Sequence, residues 1–182
     1  MNKSVFESFP HLETERLKLR KVTVEDIPMV FEFNSDPEAV KYVPREPYTH
    51  LDEALEKVAG FNRGYEEGTA ICWAYTRKDS GVTIGYGCLF HVDAEGSKAE
   101  IGYGILRPFW GQGFVSEAVA EMTRFAQQDM QLHRVYGLVD PDNIPSAKIL
   151  LKLGYSKEGC LRHNDFARGN YFDMDVFGLI SE

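Results

Sequence analysis

Apolar and polar positions alternate from Arg16 to Val22, with Leu17, Leu19 and Lys21 on one side, and this period of two predicts a strand. The period then lengthens. Ile27, Val30, Phe31 and Asn34 keep helical spacing behind a start signal, Thr23 followed by Asp26, and Asp36-Pro37 ends that helix. Thr49 followed by Asp52 repeats the signal, and Leu51, Ala54, Leu55, Val58 and Asn62 mark a second helix face ending near Gly68. Alternation returns three times: over Ala70 to Arg77, with Ile71, Trp73 and Tyr75 on one side, over Val82 to His91, and over Lys98 to Leu106. Polar turns at Lys78 to Gly81 and Val92 to Ser97 join these runs into an antiparallel meander.

Beyond it, Ala118, Val119, Met122, Phe125, Ala126 and Met130 stripe an amphipathic helix, and Arg134 to Val139 is an apolar strand. A turn, "DPDN", leads to a helix closed by Leu153-Gly154, where glycine suits the left-handed residue after a helix. Two strands follow, around Tyr155 to Gly159 and Tyr171 to Ile180. The order predicts a mixed α/β (α+β) fold: a largely antiparallel central sheet of about seven strands with helices on both faces. No repeat, low-complexity run or linker interrupts it, so residues 1–182 read as one domain.

Composition narrows the function. The 182 residues are enough to bury a sizeable core, and 43% hydrophobic with 26% charged residues is a globular balance. The net charge of -8 argues against a nucleic-acid partner, which needs a basic face, and is compatible with a cationic one. The cysteines, Cys72, Cys88 and Cys160, are odd in number and lack CxxC spacing, which favours reduced thiols and a cytoplasmic chain. The N-terminus has no apolar run of the signal-peptide kind, and no stretch approaches the ~18 apolar residues of a membrane span. The five histidines are scattered without ligand spacing, so no metal is expected.

The stretch with chemical content is "FWGQGFVSEA", Phe109 to Ala118. It sets Gly111 and Gly113 in front of a helix beginning at about Val115. A helix N-terminus offers unpaired N–H groups and partial positive charge, and glycines let a phosphate approach them. The loop is a plausible pyrophosphate cradle, or merely a tight turn. It holds no lysine, so the GxxxxGK[ST] loop of nucleoside triphosphatases is absent. The dinucleotide pattern fails too, because Gly102-Tyr103-Gly104 is followed by Arg107 where glycine is required.

"AEIGYGILRPFWGQGFVSEAV" resembles the acetyl-CoA-binding motif of the GNAT superfamily of N-acetyltransferases, [Q/R]-x-x-G-x-[G/A]. Trp110 takes its first position, Gly113 the middle and Val115 the last. Tryptophan there is similar to the ribosomal-protein N-terminal alanine acetyltransferase branch, which reads roughly "YWGKGYASEA". Val115 departs from the usual small residue and would add two methyl groups near the phosphates. "LETERLKLRKVTVEDI" (Leu12 to Ile27) and "VDPDNIPSAKILLKLGYSKEG" (Val139 to Gly159) resemble the branch's opening strand and its last conserved helix. Together the three stretches span most of the chain in the expected order.

The resemblance implies acetyl-CoA as co-substrate. Its pantetheine arm would pair with the backbone of Tyr103, Gly104, Ile105 and Leu106, as an added strand does. Backbone amides from Gly111, Gln112, Gly113, Phe114, Val115 and Ser116 would wrap the pyrophosphate, with a side-chain donor from Gln112. Asn143 matches a cofactor-contacting asparagine and equally suits a helix N-cap. The tyrosine that many relatives use to protonate the leaving thiolate falls at Leu150, which has no proton to give; Ser146 matches a serine that the ribosomal-protein branch keeps, and the resemblance implies it as the candidate acid. Glu100 is the candidate base, acting on the amine through water, with Glu158 and His163 behind it. Tyr155 reads as core.

Tyr42, Tyr48, Trp73 and Tyr171 are candidates to line an acceptor pocket suited to a cation. The acceptor is an amine, either a protein N-terminus of the ribosomal-protein type or a small molecule such as a polyamine, an aminoglycoside or an amino acid. A non-catalytic acyl-CoA sensor is the alternative class. No membrane or nucleic-acid partner is expected, and the chain would be a monomer or homodimer.

Overall fold

In the computed structural model, which describes residues 1–181, a 3-10 turn (Lys3–Phe6) precedes two short strands, β1 (Leu12–Glu13) and β2 (Leu17–Lys21). Two helices follow, α1 (Ile27–Ser35) and α2 (Leu51–Glu66), then the meander of β3 (Ile71–Arg77), β4 (Thr83–Asp93) and β5 (Lys98–Ile105). Helix α3 (Phe114–Gln128), β6 (Arg134–Val139), α4 (Ile144–Lys152), β7 (Ser156–Ala167) and β8 (Asn170–Ile180) complete it. The strands form one sheet in the order β1-β2-β3-β4-β5-β6-β8-β7. It has eight strands where alternation shows seven, because β1 is too short to carry a period.

Alternation sorts the meander's side chains onto two faces. Ile71, Trp73, Tyr75, Leu89, Ile101 and Ile105 pack with Met122, Phe125 and Ala126 of α3 and with Leu150 of α4. Cys72, Ala74, Tyr86 and Cys88 pack with Val30 and Phe33 of α1 and with Ala54 and Val58 of α2. The Thr23–Asp26 start signal is present as a capping box, although it opens a short 3-10 turn that runs into α1. The second start lies one residue later than the sequence signal: His50 is the N-cap of α2, and the Glu53 carboxylate accepts the Thr49 and His50 amides at 2.8 and 3.0 Å.

The sheet splits at one place. β5 and β6 pair in parallel only at Lys98–Arg134, Ala99–Val135 and Glu100–Tyr136. From Ile101 onward β5 keeps β4 on one side, through Gly102–Cys88, Gly104–Tyr86 and Ile105–Gly85, and has no ladder on the other. Phe33 packs over this part of β5 so closely that a Cβ on Gly104 would fall 2.3 Å from its ring.

The thiols differ from expectation. Cys72 and Cys88 are directly opposed on β3 and β4, with Cα atoms 4.1 Å apart, and are joined as a disulfide. Cys160 is free and exposed. Spacing could not show this, because the contact is made by strand register.

Candidate active site

The open edge of β5 is the floor of the site. In an antiparallel ladder alternate residues turn their backbone groups to opposite edges. Leu106 N–H donates to Ile84 O at 2.8 Å, so Leu106 and Gly104 face β4 while Tyr103 and Ile105 face the gap. The gap-facing carbonyl of Ile105 accepts the Trp110 indole N–H at 2.9 Å. Of the stretch expected to pair with an extended ligand, then, only every second residue offers backbone groups, and Trp110 closes the far end.

Beyond Trp110 the chain turns through Gly111 (φ 73°) and Gly113 (φ 83°), both in the left-handed region that glycine adopts without strain. Helix α3 begins at Phe114, and its first backbone bond runs from Glu117 N–H to Gly113 O at 3.1 Å. The amides of Phe114, Val115 and Ser116 therefore have no partner within the helix, which is the arrangement an oxyanion needs. The residues fit a pyrophosphate by backbone, and two side chains, Gln112 and Val115, depart from expectation. Gln112 Nε2 donates to Pro108 O at 3.0 Å, so its amide holds the loop together. Val115 turns toward the α3-side core, which explains how the loop accepts a branched residue. The Phe114 ring is buried, and only its backbone faces outward.

Arg16 fixes the loop and was not evident in the sequence, since 101 residues separate it from its main partner. Its Nε lies 2.7 Å from Glu117 Oε2, its Nη1 donates to Gln112 O at 3.0 Å, and its guanidinium lies 4.3 Å from the Phe114 ring centroid. Burial pushes the Glu117 carboxyl up, but Thr14, the Arg16 amide and the guanidinium together hold it below the usual carboxylate range.

A cavity of about 660 Å³ opens beside the β5 edge, and both candidate catalytic residues reach it. They come from opposite faces. On the α3–α4 face, Asn143 caps α4 by accepting Ser146 N–H at 3.3 Å, and Ser146 Oγ lies 2.9 Å from the hydroxyl of Tyr103. Burial, partly offset by Ser146, pushes the Tyr103 phenol up to about 12, so it carries its proton at neutral pH. Tyr103 was expected to contribute backbone alone. Leu150 also lines the cavity, as an apolar wall.

On the α1–α2 face stands Glu100, 9% exposed. A bulge in β4 puts His91 at φ 51° and its Nδ1 3.1 Å from Glu100 Oε2. Burial raises the Glu100 carboxyl above its ordinary range, and His91 partly offsets this. The other candidate bases are elsewhere: Glu158 pairs with Arg134 at the sheet edge, and His163 stacks on Tyr171 at 4.8 Å. Tyr155 is buried with its hydroxyl 3.0 Å from Thr123 Oγ1, as expected of a core residue.

The four aromatics divide. Tyr42 lines the cavity. Tyr48 lies behind it, with the Arg45 guanidinium 4.6 Å from its ring centroid. Trp73 is fully buried on the opposite, α3 face, donating to Pro10 O at 2.7 Å, because its alternation partners Ile71 and Tyr75 belong to that core. Tyr171 is 62% exposed on the β7–β8 hairpin, outside the cavity. That hairpin still contributes: Asn164 and Asp165 face the cavity, and Arg168 ties its tip to the carbonyls of Lys41 and Val43 at 2.8 and 3.2 Å.

Residues 16–156 match the family described as Acetyltransferase (GNAT) domain. The chain belongs to the GNAT acetyltransferases. It is 38% identical over 170 residues to the uncharacterized N-acetyltransferase p20 of Bacillus licheniformis, covering 93% of this chain and 95% of that protein. It is 29% identical over 129 residues to the ribosomal-protein-serine acetyltransferase of Escherichia coli, covering 71% of each. A Vibrio cholerae spermidine N-acetyltransferase solved with CoA and spermine superposes with a TM-score of 0.80 at 22% identity, covering 90% of this chain and 95% of that one. This acetyltransferase shares with that structure its fold. Among the described residues no helix is long and apolar enough to cross a membrane.

Proposed function

We propose that this acetyltransferase moves the acetyl group of acetyl-CoA to a primary amine by direct attack in a ternary complex. The observation that carries the reading is the split between β5 and β6, with Glu100 on one face of the opening and the Ser146–Tyr103 pair on the other. An amine entering from the α1–α2 face meets Glu100, and a thioester lying along the β5 edge meets Ser146 on the α4 side. Glu100, ionised above its raised pKa, takes a proton from the ammonium through water. The amine nitrogen forms the N–C bond, the C–S bond breaks, the Ser146 hydroxyl, backed by Tyr103, gives the leaving sulfur its proton, and the second proton shed by the nitrogen passes through water to restore the serine hydroxyl. Backbone N–H on the open β5 edge polarises the thioester carbonyl. The free amides of the first α3 turn hold the pyrophosphate, with Asn143 at the neighbouring α4 start.

The resemblance of the loop and the similarity to the ribosomal-protein-serine enzyme favour a protein N-terminal α-amine as acceptor. Its pKa of about 8 leaves a useful neutral fraction at neutral pH. The cavity volume of about 660 Å³ keeps a second reading in view, a small-molecule amine enclosed beneath the hairpin, since small-ligand sites fall in that range. CoA release, followed by thiol detection, tests both against short Ser- and Ala-starting peptides, polyamines, aminoglycosides and amino acids. Acceptor-dependent release supports the reaction and separates the two classes. Calorimetric binding of acetyl-CoA with no release for any amine would overturn it.

A further inference from the structure

The acceptor cavity holds two cations that the reaction above does not use. Lys57 on α2 and Arg45 in the α1–α2 connection both line it. Lys57 Nζ lies 5.4 and 5.8 Å from the ring centroids of Phe61 and Tyr86. Burial, then the nearby Arg45 charge, lowers the Lys57 amine to about 8. Arg45 donates Nη2 to Asn34 Oδ1, while its Nη1 is buried without a hydrogen-bond partner among the described residues. Neither side chain forms an ion pair among the described residues, although Arg16, Arg20, Arg77, Arg107, Arg124 and Arg134 all do.

Two cations held together without a counter-ion are costly. Among the described residues the buried Arg45 Nη1 keeps an unused donor, which buried polar groups rarely do, and an anion beside Arg45 would pair with it. Asn34 and Tyr86 hold the pair in place: the Tyr86 hydroxyl donates to Asn34 Oδ1 at 3.1 Å, beside Arg45. The acidic surface charge that makes a cationic acceptor attractive is therefore reversed at this end of the cavity.

Resting on the acetyltransferase reading of this same site, we propose that Lys57 and Arg45 form an anion subsite, so that the acceptor carries a carboxylate or phosphate as well as its amine. The two ends of that acceptor are spaced by the sheet. Tyr86, beneath Lys57, is four residues along β4 from Phe90, which pairs with Glu100. Four residues span roughly 13 Å. The anion therefore sits several bonds from the reacting amine. This spacing fits an acidic side chain or terminal carboxylate of a short peptide, or a phosphorylated amine, better than the α-carboxylate of a free α-amino acid.

The deciding measurement is trace labelling with acetic anhydride at pH 8, read residue by residue by mass spectrometry. Acetate and inorganic phosphate, each at tens of millimolar, serve as probes. Protection of Lys57 by at least threefold, with exposed Lys3, Lys148 and Lys152 unchanged, is expected, and the more protective anion names the source. Equal labelling of Lys57 with and without both anions would overturn the subsite whether or not the protein is a catalyst. With turnover in hand, an anionic acceptor should exceed its neutral ester or amide in kcat/KM by tenfold or more. Lys57→Met should erase that difference through KM. An acceptor preference that Lys57→Met leaves intact also overturns it, while the acetyltransferase reading stands.

Discussion

The hydroxyl of Tyr103 lies 2.9 Å from Ser146 Oγ, and this contact joins β5 to α4 across the open edge of the sheet. In the proposed reaction Ser146 is the proton donor to the leaving sulfur, and Tyr103 would orient it through this contact. Ser146→Ala should lower kcat by about 10- to 100-fold while acetyl-CoA affinity changes little, the signature of an interaction made in the transition state. Tyr103→Phe should lower kcat less, since the serine hydroxyl remains. Stopped-flow kcat beside calorimetric Kd for acetyl-CoA separates the two effects. A wild-type kcat in Ser146→Ala removes it as the acid.

As the proposed base, Glu100 would set a pH dependence. Its carboxyl is raised by burial, so the ionised, proton-accepting form appears only above the ordinary carboxylate range of about 4.3. The kcat/KM should therefore rise with pH through a value above that range. Glu100→Gln should flatten this limb. Stability runs the other way. A carboxyl with a raised folded pKa stabilises the protein while protonated, below its unfolded pKa, and that contribution is lost as pH rises through the folded value. Thermal unfolding at pH 4 and pH 7 should show Glu100→Gln gaining on the wild type at the higher pH.

The Arg16–Glu117 pair holds the glycine loop through Gln112 O. Arg16→Ala should raise KM for acetyl-CoA several-fold and leave KM for the amine near wild type, because the loop is remote from the acceptor cavity. Gly113→Ala tests the backbone: at φ 83° a Cβ costs about 1–3 kcal/mol of strain. Both effects appear in acetyl-CoA titrations. Equal loss of affinity for both substrates would mean that the loop serves the fold rather than the cofactor.

These contacts mark what the sequence could reveal. The meander, α3 and the Gly154 turn follow from local periodicity, so Ile71, Trp73 and Tyr75 share a face as alternation predicts. Glu100 and Ser146 were singled out through the resemblance of their stretches to the family, and the structure sets them on β5 and α4. The direction of Trp73 relative to the cavity was not legible, because alternation gives two faces without saying which one holds ligand. Arg16 with Glu117, and Cys72 with Cys88, are brought together by tertiary register and leave no local trace. Lys57 left one: it sits between Ala54, Val58 and Phe61 at helical spacing, a charge on a face that otherwise packs inward.

The disulfide predicts a thiol count. Protein unfolded without reductant should react with Ellman's reagent at one cysteine, Cys160, and at all three after reduction. Because Cys72 and Cys88 line the cavity, reduction should change KM for the acceptor more than KM for acetyl-CoA. Three reactive thiols without reductant would show the pair to be open in solution.

Asp26 carries a different pH signature. It is 2% exposed, and its two oxygens take the Arg20 guanidinium at 2.7 and 2.8 Å while one also accepts the Thr23 amide at 2.8 Å. Burial pushes its carboxyl up, but the Arg20 fork and the Thr23 amide outweigh it, and the net pKa is lowered. A carboxyl with a lowered folded pKa stabilises fully above its unfolded value of about 3.9, and the contribution disappears as pH falls through the folded value. Asp26→Asn leaves Arg20 half-buried without its partner and should cost about 2–4 kcal/mol at pH 7. Urea unfolding at pH 7 and at pH 3 measures it. The deficit should shrink at pH 3, where the wild type is itself losing the ion pair. A deficit that stays the same size at both pH values would show that the ion pair with Arg20 does not carry it.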